Sequence, residues 1–122
     1  MTVTGPDFVA LQVRDLERAA EFYESSLGLR RAAVSPPHAV VFDTSPIAFA
    51  VREPLPGVDL DALVQPGAGV VLWLAADDAQ ALHDSLAAEG VQIVVAPFDG
   101  PFGRTFTFVD LDGYTITVHD QA

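Results

Sequence analysis

Few side chains in this sequence can do acid–base or metal chemistry. Three histidines, His38, His83 and His119, stand among seventeen acidic and six basic residues, and all six basic residues are arginine. With no cysteine in the chain, disulfides, thiolate nucleophiles, iron–sulfur clusters and thiolate zinc sites are excluded together. An imidazole can ligate a metal or carry a proton near neutral pH. His83 falls in the middle of an amphipathic stretch, however, where a helix-packing or solvent-facing role suffices. His38 follows Ser35-Pro36-Pro37, as a loop histidine or a hydrogen-bond donor at a cavity rim. His119 shares a strand face with Thr115 and Thr117, lining a pocket or fraying at the end of the strand. Aromatic residues offer recognition chemistry. Trp73 is the only tryptophan, and Phe98 and Phe102 sit in a Gly/Pro-bearing loop, Phe98-Asp-Gly-Pro-Phe-Gly-Arg104. Each either packs in a core or stacks on a flat ligand. Arg52 and Arg104 are candidate donors to ligand carbonyls or phenols, or partners of the many carboxylates.

The elements that must position these residues occur twice. Phe8 to Asp15 is an apolar run stopped by an aspartate, and residues 16–27 carry apolar side chains at 16, 19, 20, 23 and 27, one face of a helix. Asp15 serves as N-cap and Gly28 ends the helix. The order recurs: Val70 to Asp77-Asp78, a helix from Ala79 to Glu89 with Leu82 and Leu86 inward, and then Gly90. Asp15 to Gly28 and Asp77 to Gly90 span thirteen residues each. Strands are expected at about 29–35, 38–43 and 47–53, and at about 91–96, 104–110 and 113–119. The expected fold is α+β, one domain of two tandem βαβββ modules (8–53 and 69–119) joined by a connector, 54–68, with one helical turn near 59–64. Asp110-Leu-Asp-Gly113 reads as a hairpin turn.

Composition bounds the partners. At 122 residues, half of them apolar and 19% charged, the chain is globular rather than disordered or coiled coil. A net charge of −11 repels nucleic acid and anionic membranes, and adds an attraction for cationic small molecules or serves solubility alone. With no leader-like segment and no bilayer-spanning run, a cytoplasmic protein is expected.

The run VRDLERAAEFYESSLGL and the closing GRTFTFVDLDGYTITVH resemble the vicinal oxygen chelate superfamily of glyoxalases, extradiol dioxygenases and bleomycin-resistance proteins. The strand and helix around Trp73 and the loop before Arg104 are similar to the antibiotic-binding branch. The resemblance implies curved mixed sheets around a cleft, commonly across a homodimer, with one metal ligand on each of four strands in the enzymes. Those four positions fall on Phe8, Ala50, Val71 and Thr117, none of them a convincing donor, so no metal or other cofactor is expected. The same register sends Phe8, Ala10 and Gln12, Ala48, Ala50 and Arg52, Val71, Trp73 and Ala75, and Thr115, Thr117 and His119 toward the cleft. The candidate ligand-binding residues are Phe8, His38, Phe42, Arg52, Trp73, Phe98, Phe102, Arg104 and Thr117.

The leading expectation is a protein that sequesters an aromatic, toxic natural product in a dimer-interface pocket. The alternative is an enzyme of the same superfamily, either a metal-dependent lyase or dioxygenase with unusual ligands such as Glu53, His38 or His119, or a metal-free isomerase or cyclase. A module serving only protein association is a third reading.

Overall fold

The structure, a computed structural model, describes residues 1–121. The chain divides into two compact units, Met1–Ala62 and Leu63–Ala122.

In unit 1, β1 (Phe8–Gln12) leads into α1 (Leu16–Glu21). The Asp15 carboxylate accepts the Arg18 amide at 3.1 Å, the N-cap that its residue type favours. α1 does not run on as a uniform α-helix: Phe22–Ser26 forms a π-helical turn, and Gly28 at φ +75° then turns the chain. β2 (Ala39–Phe42) and β3 (Ala48–Arg52) follow. The sheet order is β1-β3-β2, with β1 parallel and β2 antiparallel to β3. Val13, Tyr23, Phe42, Phe49 and Val51 are fully or almost fully buried, with α1 packed against this side of the sheet. Tyr23 lies 5.2 Å from Phe49 and 6.2 Å from Phe42, ring centre to ring centre. A short 3₁₀ turn, Leu60–Ala62, fills the helical turn expected in the connector.

The strand expected at 29–35 shrinks to one bridge, Arg31 opposite Phe42. Hydrogen bonds from Ala32 N to Val41 O and from Asp43 N to Arg30 O flank it. The Val41 amide that would extend the ladder donates instead to Ser35 Oγ at 3.0 Å. Pro36 and Pro37 then bring no amide of their own.

Unit 2 is a complete βαβββ: β4 (Leu72–Ala75), α2 (Ala79–Ala88), β5 (Ile93–Gly100), β6 (Gly103–Val109) and β7 (Thr115–His119). The sheet order is β4-β7-β6-β5. β4 runs parallel to β7, and the other pairs are antiparallel. Leu86 of α2, with Phe106, Phe108, Ile116 and Val118 of the sheet, is fully or almost fully buried, and His83 packs edge-on against Phe106 at 5.4 Å. Asp110 Oδ1 accepts the amides of Asp112 and Tyr114 at 3.0 and 2.9 Å, and Gly113 at φ +96° completes the hairpin turn.

The α2 cap is Asp78, whose Oδ1 accepts the Ala81 amide at 2.9 Å, and not Asp77. Cap to glycine is therefore thirteen residues in unit 1 and twelve in unit 2. The π turn absorbs the extra residue, since i→i+5 bonding accommodates one insertion in a helix.

Candidate functional site

Two sheet faces present the residues singled out from sequence. In unit 2 the face away from α2 is set by register. One row across the sheet is Trp73–Thr117–Thr107–Val95, and the next is Ala75–His119–Thr105–Phe98. Thr105 and Thr107 are buried, whereas Trp73, Phe98 and Phe102 are each about half exposed. Hydroxyls therefore lie between aromatic rings on a face about 14 Å wide, three strand spacings.

Trp73, Phe102 and His119 meet edge to face, with ring centres 5.8 Å (Trp73–Phe102), 5.7 Å (Trp73–His119) and 6.1 Å (Phe102–His119) apart. Such geometry fixes each ring against the others. His119 Nδ1 lies 2.9 Å from the Gln121 carbonyl oxygen. A carbonyl only accepts, so Nδ1 carries a proton and donates to it. Thr107 and Thr117 share a hydrogen bond, Oγ1 to Oγ1 at 3.0 Å, and Thr105 Oγ1 donates to the Gly103 carbonyl at 3.1 Å.

The expected loop between Phe98 and Arg104 is mostly strand. Phe98, Asp99 and Gly100 complete β5, leaving Pro101 and Phe102 as the turn. The missing side chain of Gly100 makes room for the Phe98 ring, since a Cβ there would stand 3.0 Å from it. Register shifts along β5 between Ile93 and Phe98 bring Phe98 onto the Thr105 face.

Arg104 belongs to the other side. It alternates with Thr105, so its guanidinium runs toward α2, with Nε donating to Gln80 Oε1 at 2.9 Å and Nη1 to Asp99 Oδ1 at 3.1 Å. Its backbone amide is held by Asp120 Oδ1 at 2.9 Å, and the same carboxylate accepts the Ala79 amide at the start of α2 at 3.1 Å. These bonds tie the Phe102 turn to α2.

In unit 1 the face away from α1 carries Phe8 beside Ala48, then Ala10–Ala50–Val41, then Gln12–Arg52–Ala39. Phe42 is not on it. It is fully buried because β2 opposes Val41 to Ala50 and therefore turns Phe42, one residue on, to the helix side. His38 stands just before β2 at φ +67°, with Nδ1 2.6 Å from Glu53 Oε2. His38 and Glu53 thus meet, and His119 lies in the other unit.

Ala10, opposite Ala50, precedes the Asp15 cap by five residues, and Trp73, opposite Thr117, precedes the Asp78 cap by five. Ala50 and Thr117 are therefore equivalent positions, as are Phe8 and Val71, seven residues before their caps. A phenyl ring, a methyl, an isopropyl and one hydroxyl already bonded to Thr107 do not make a donor set for a divalent cation. Among the described residues no three His, Cys, Asp or Glu side chains converge on one point, and no helix is long and apolar enough to cross a membrane.

Residues 5–118 match the family model described as Glyoxalase/Bleomycin resistance protein/Dioxygenase superfamily, and the chain belongs to that superfamily. No curated protein matches it in sequence. Among solved structures it is similar to TnmS3, an antibiotic binding protein from Streptomyces sp. CB03234, at 24% identity and TM-score 0.74, over 100% of this chain and 99% of that one. It is also similar to the fosfomycin resistance protein FosX from Mesorhizobium loti (20% identity, TM-score 0.69, 99% and 95% covered). A third similar structure is a lactoylglutathione lyase from Agrobacterium tumefaciens (19% identity, TM-score 0.67, 98% and 96% covered). At these identities the likeness establishes the fold.

Proposed function

We propose that the protein binds a planar aromatic small molecule against Trp73, Phe98 and Phe102 and releases it chemically unchanged, protecting by sequestration. The observation that carries this reading is the unit 2 face itself: three half-exposed aromatic rings around buried hydroxyls, with one imidazole and no carboxylate in either row. Covering the exposed half of each ring, on the order of 100 Å², is worth about 2 kcal/mol, enough for useful affinity after the costs of association. Thr117 and His119 supply polar contacts that orient the ligand. The structural likeness to an antibiotic binding protein supports the same reading.

We propose further that the protein works as a homodimer. β4 is an edge strand of its sheet, with Val70 and Val71 about three-quarters exposed beside it, and an apolar edge of this kind invites a partner.

Equilibrium dialysis against a panel of planar aromatic antibiotics, with mass spectrometry of the recovered compound, tests the function. Saturable uptake of unchanged ligand is expected, and a folded protein that takes up none refutes it. A second reading, a superfamily enzyme, draws on the His38–Glu53 pair, in which a carboxylate orients an imidazole as in general-base sites. A recovered ligand of altered mass would select it.

A further inference from the structure

Both rings that meet Trp73 are tied to one residue that follows β7. Gln121 donates its amide to the Phe102 carbonyl at 3.0 Å, and its own carbonyl accepts from His119 Nδ1 at 2.9 Å. Asp120, one residue before, holds the Arg104 and Ala79 amides through its two carboxylate oxygens. Gly103 makes this approach possible, because a Cβ there would stand 2.8 Å from Gln121 Cβ. Residues 120 and 121 therefore run as a strap past the end of the β5–β6 hairpin. The strap fastens the turn on which the half-exposed Phe102 ring is carried, at the end of a hairpin where local opening is easiest.

Unit 1 has no counterpart of this device. Ala50 and Thr117 are equivalent, so Gln121, four residues past Thr117, corresponds to Pro54, four past Ala50. Proline has no amide to donate. The pairing of Ala39 with Arg52, and of Thr105 with His119, makes Pro36 the counterpart of Phe102. The aromatic ring on the turn and the amide that ties the turn are thus present together in unit 2 and absent together from unit 1.

We propose that Gln121 is a positioning residue for the Trp73 face. Its main chain, and not its side chain, holds Phe102 and His119 in edge contact with Trp73, and the face binds its ligand best while the strap is closed. The effect on binding rests on the reading that this face is the binding site, whereas the strap itself is read without ligand.

The test uses the full ¹⁵N-labelled chain and two variants. Gln121→Pro installs the residue type of unit 1, removing the amide and placing a ring carbon where its hydrogen pointed. Gln121→Ala keeps the amide, the carbonyl and Cβ. In alkaline solution, where the imidazole is neutral, long-range nitrogen spectra should show His119 protonated on Nδ1 in the parent and in Gln121→Ala. In Gln121→Pro the ring should revert to the Nε2 tautomer that water favours, and Trp73 emission should move to the red as Phe102 leaves the indole. In the parent alone, the Gln121 amide should exchange with solvent more slowly than an unbonded amide. With acridine as a planar aromatic probe, Gln121→Pro should raise the Kd about fivefold, the worth of one hydrogen bond, and Gln121→Ala should leave it unchanged. The amide spectra verify that both variants are folded. An unprotected Gln121 amide, a tautomer and emission unchanged in Gln121→Pro, or changes as large in Gln121→Ala would overturn the proposal. Equal acridine affinities in the parent and Gln121→Pro would overturn the role in binding. A parent that takes up no acridine would count against the reading of the face, and the ligand-free spectra would still decide the strap.

Discussion

Gly103 offers the sharpest link between backbone, packing and the aromatic face. It sits at φ +88°, and a Cβ there would lie 2.5 Å from Asp120 Oδ1, 2.8 Å from Gln121 Cβ and 3.0 Å from Gln121 N. Gly103→Ala therefore carries two costs. The left-handed backbone conformation costs an L side chain about 1–2 kcal/mol. Displacing the Asp120 carboxylate breaks its bonds to the Arg104 and Ala79 amides, each worth about 1 kcal/mol at a half-exposed site. The sum is about 3–4 kcal/mol, a fall in Tm of roughly 12–16 °C at about 4 °C per kcal/mol for a chain of this size. Thermal and denaturant unfolding followed by circular dichroism measures it. Gly69→Ala is the control, with open space around its Cβ position and no positive φ, and should stay within about 0.5 kcal/mol of the parent. In an Asp120→Ala background, already about 2 kcal/mol less stable, the cost of Gly103→Ala should shrink by at least about 1 kcal/mol, because the carboxylate it displaces is gone. A Gly103→Ala protein as stable as the parent, or one with equal cost in both backgrounds, refutes the reasoning. Phe102 precedes Gly103 in the same turn, so the substitution should also weaken ligand binding at Trp73.

Trp73→Ala should raise the Kd for an aromatic ligand about 30-fold, the loss of about 2 kcal/mol of covered ring area, with the fold intact by circular dichroism. Leu86→Ala removes a fully buried side chain from the α2–sheet contact and should cost about 3 kcal/mol in chemical denaturation. Asp110→Ala leaves the Asp112 and Tyr114 amides without the carboxylate that holds them in a buried turn, and should cost about 2–3 kcal/mol by the same measurement. Glu17 is held below its ordinary carboxylate value of 4.5, first by its hydrogen bond to Arg31. A lowered folded pKa stabilises above the unfolded value and is lost as pH falls through the folded one. The stability difference between the parent and Glu17→Gln should therefore be full above pH 4.5 and vanish in more acid solution, as read by urea titrations across that range.

The second half of the chain was largely legible in its sequence, because β4, α2 and the Asp110 turn follow local rules of alternation, capping and turn chemistry. The first half departs where pairing decides. Residues 29–35 have strand composition, yet Ser35 Oγ takes the Val41 amide and leaves a single bridge. The thirteen-residue spacing after Asp15 matched the second half only by counting from Asp77, and the π turn hidden by that match follows from Asp78 as the true cap. Among candidate site residues, the alternation of β4 and β7 placed Trp73, Thr117 and His119 on one face. Phe42 and Arg104 depended on the registers of β2 with β3 and of β5 with β6, which local composition does not encode. Phe98 reached the aromatic face through irregular pairing along β5. Thr105 and Thr107 were visible only as the polar partners of Phe106 and Phe108, and their burial between aromatic rings needed the completed sheet.

The central claim, that the unit 2 face holds a flat aromatic ligand, is read most directly by the emission of Trp73, the only tryptophan in the chain. Titrating planar aromatic antibiotics into the parent protein and into Phe102→Ala should give saturable quenching at about one ligand per chain. The Phe102→Ala curve should shift to weaker binding by about 30-fold. Unchanged emission across the panel, or quenching that Phe102→Ala leaves untouched, would contradict the account.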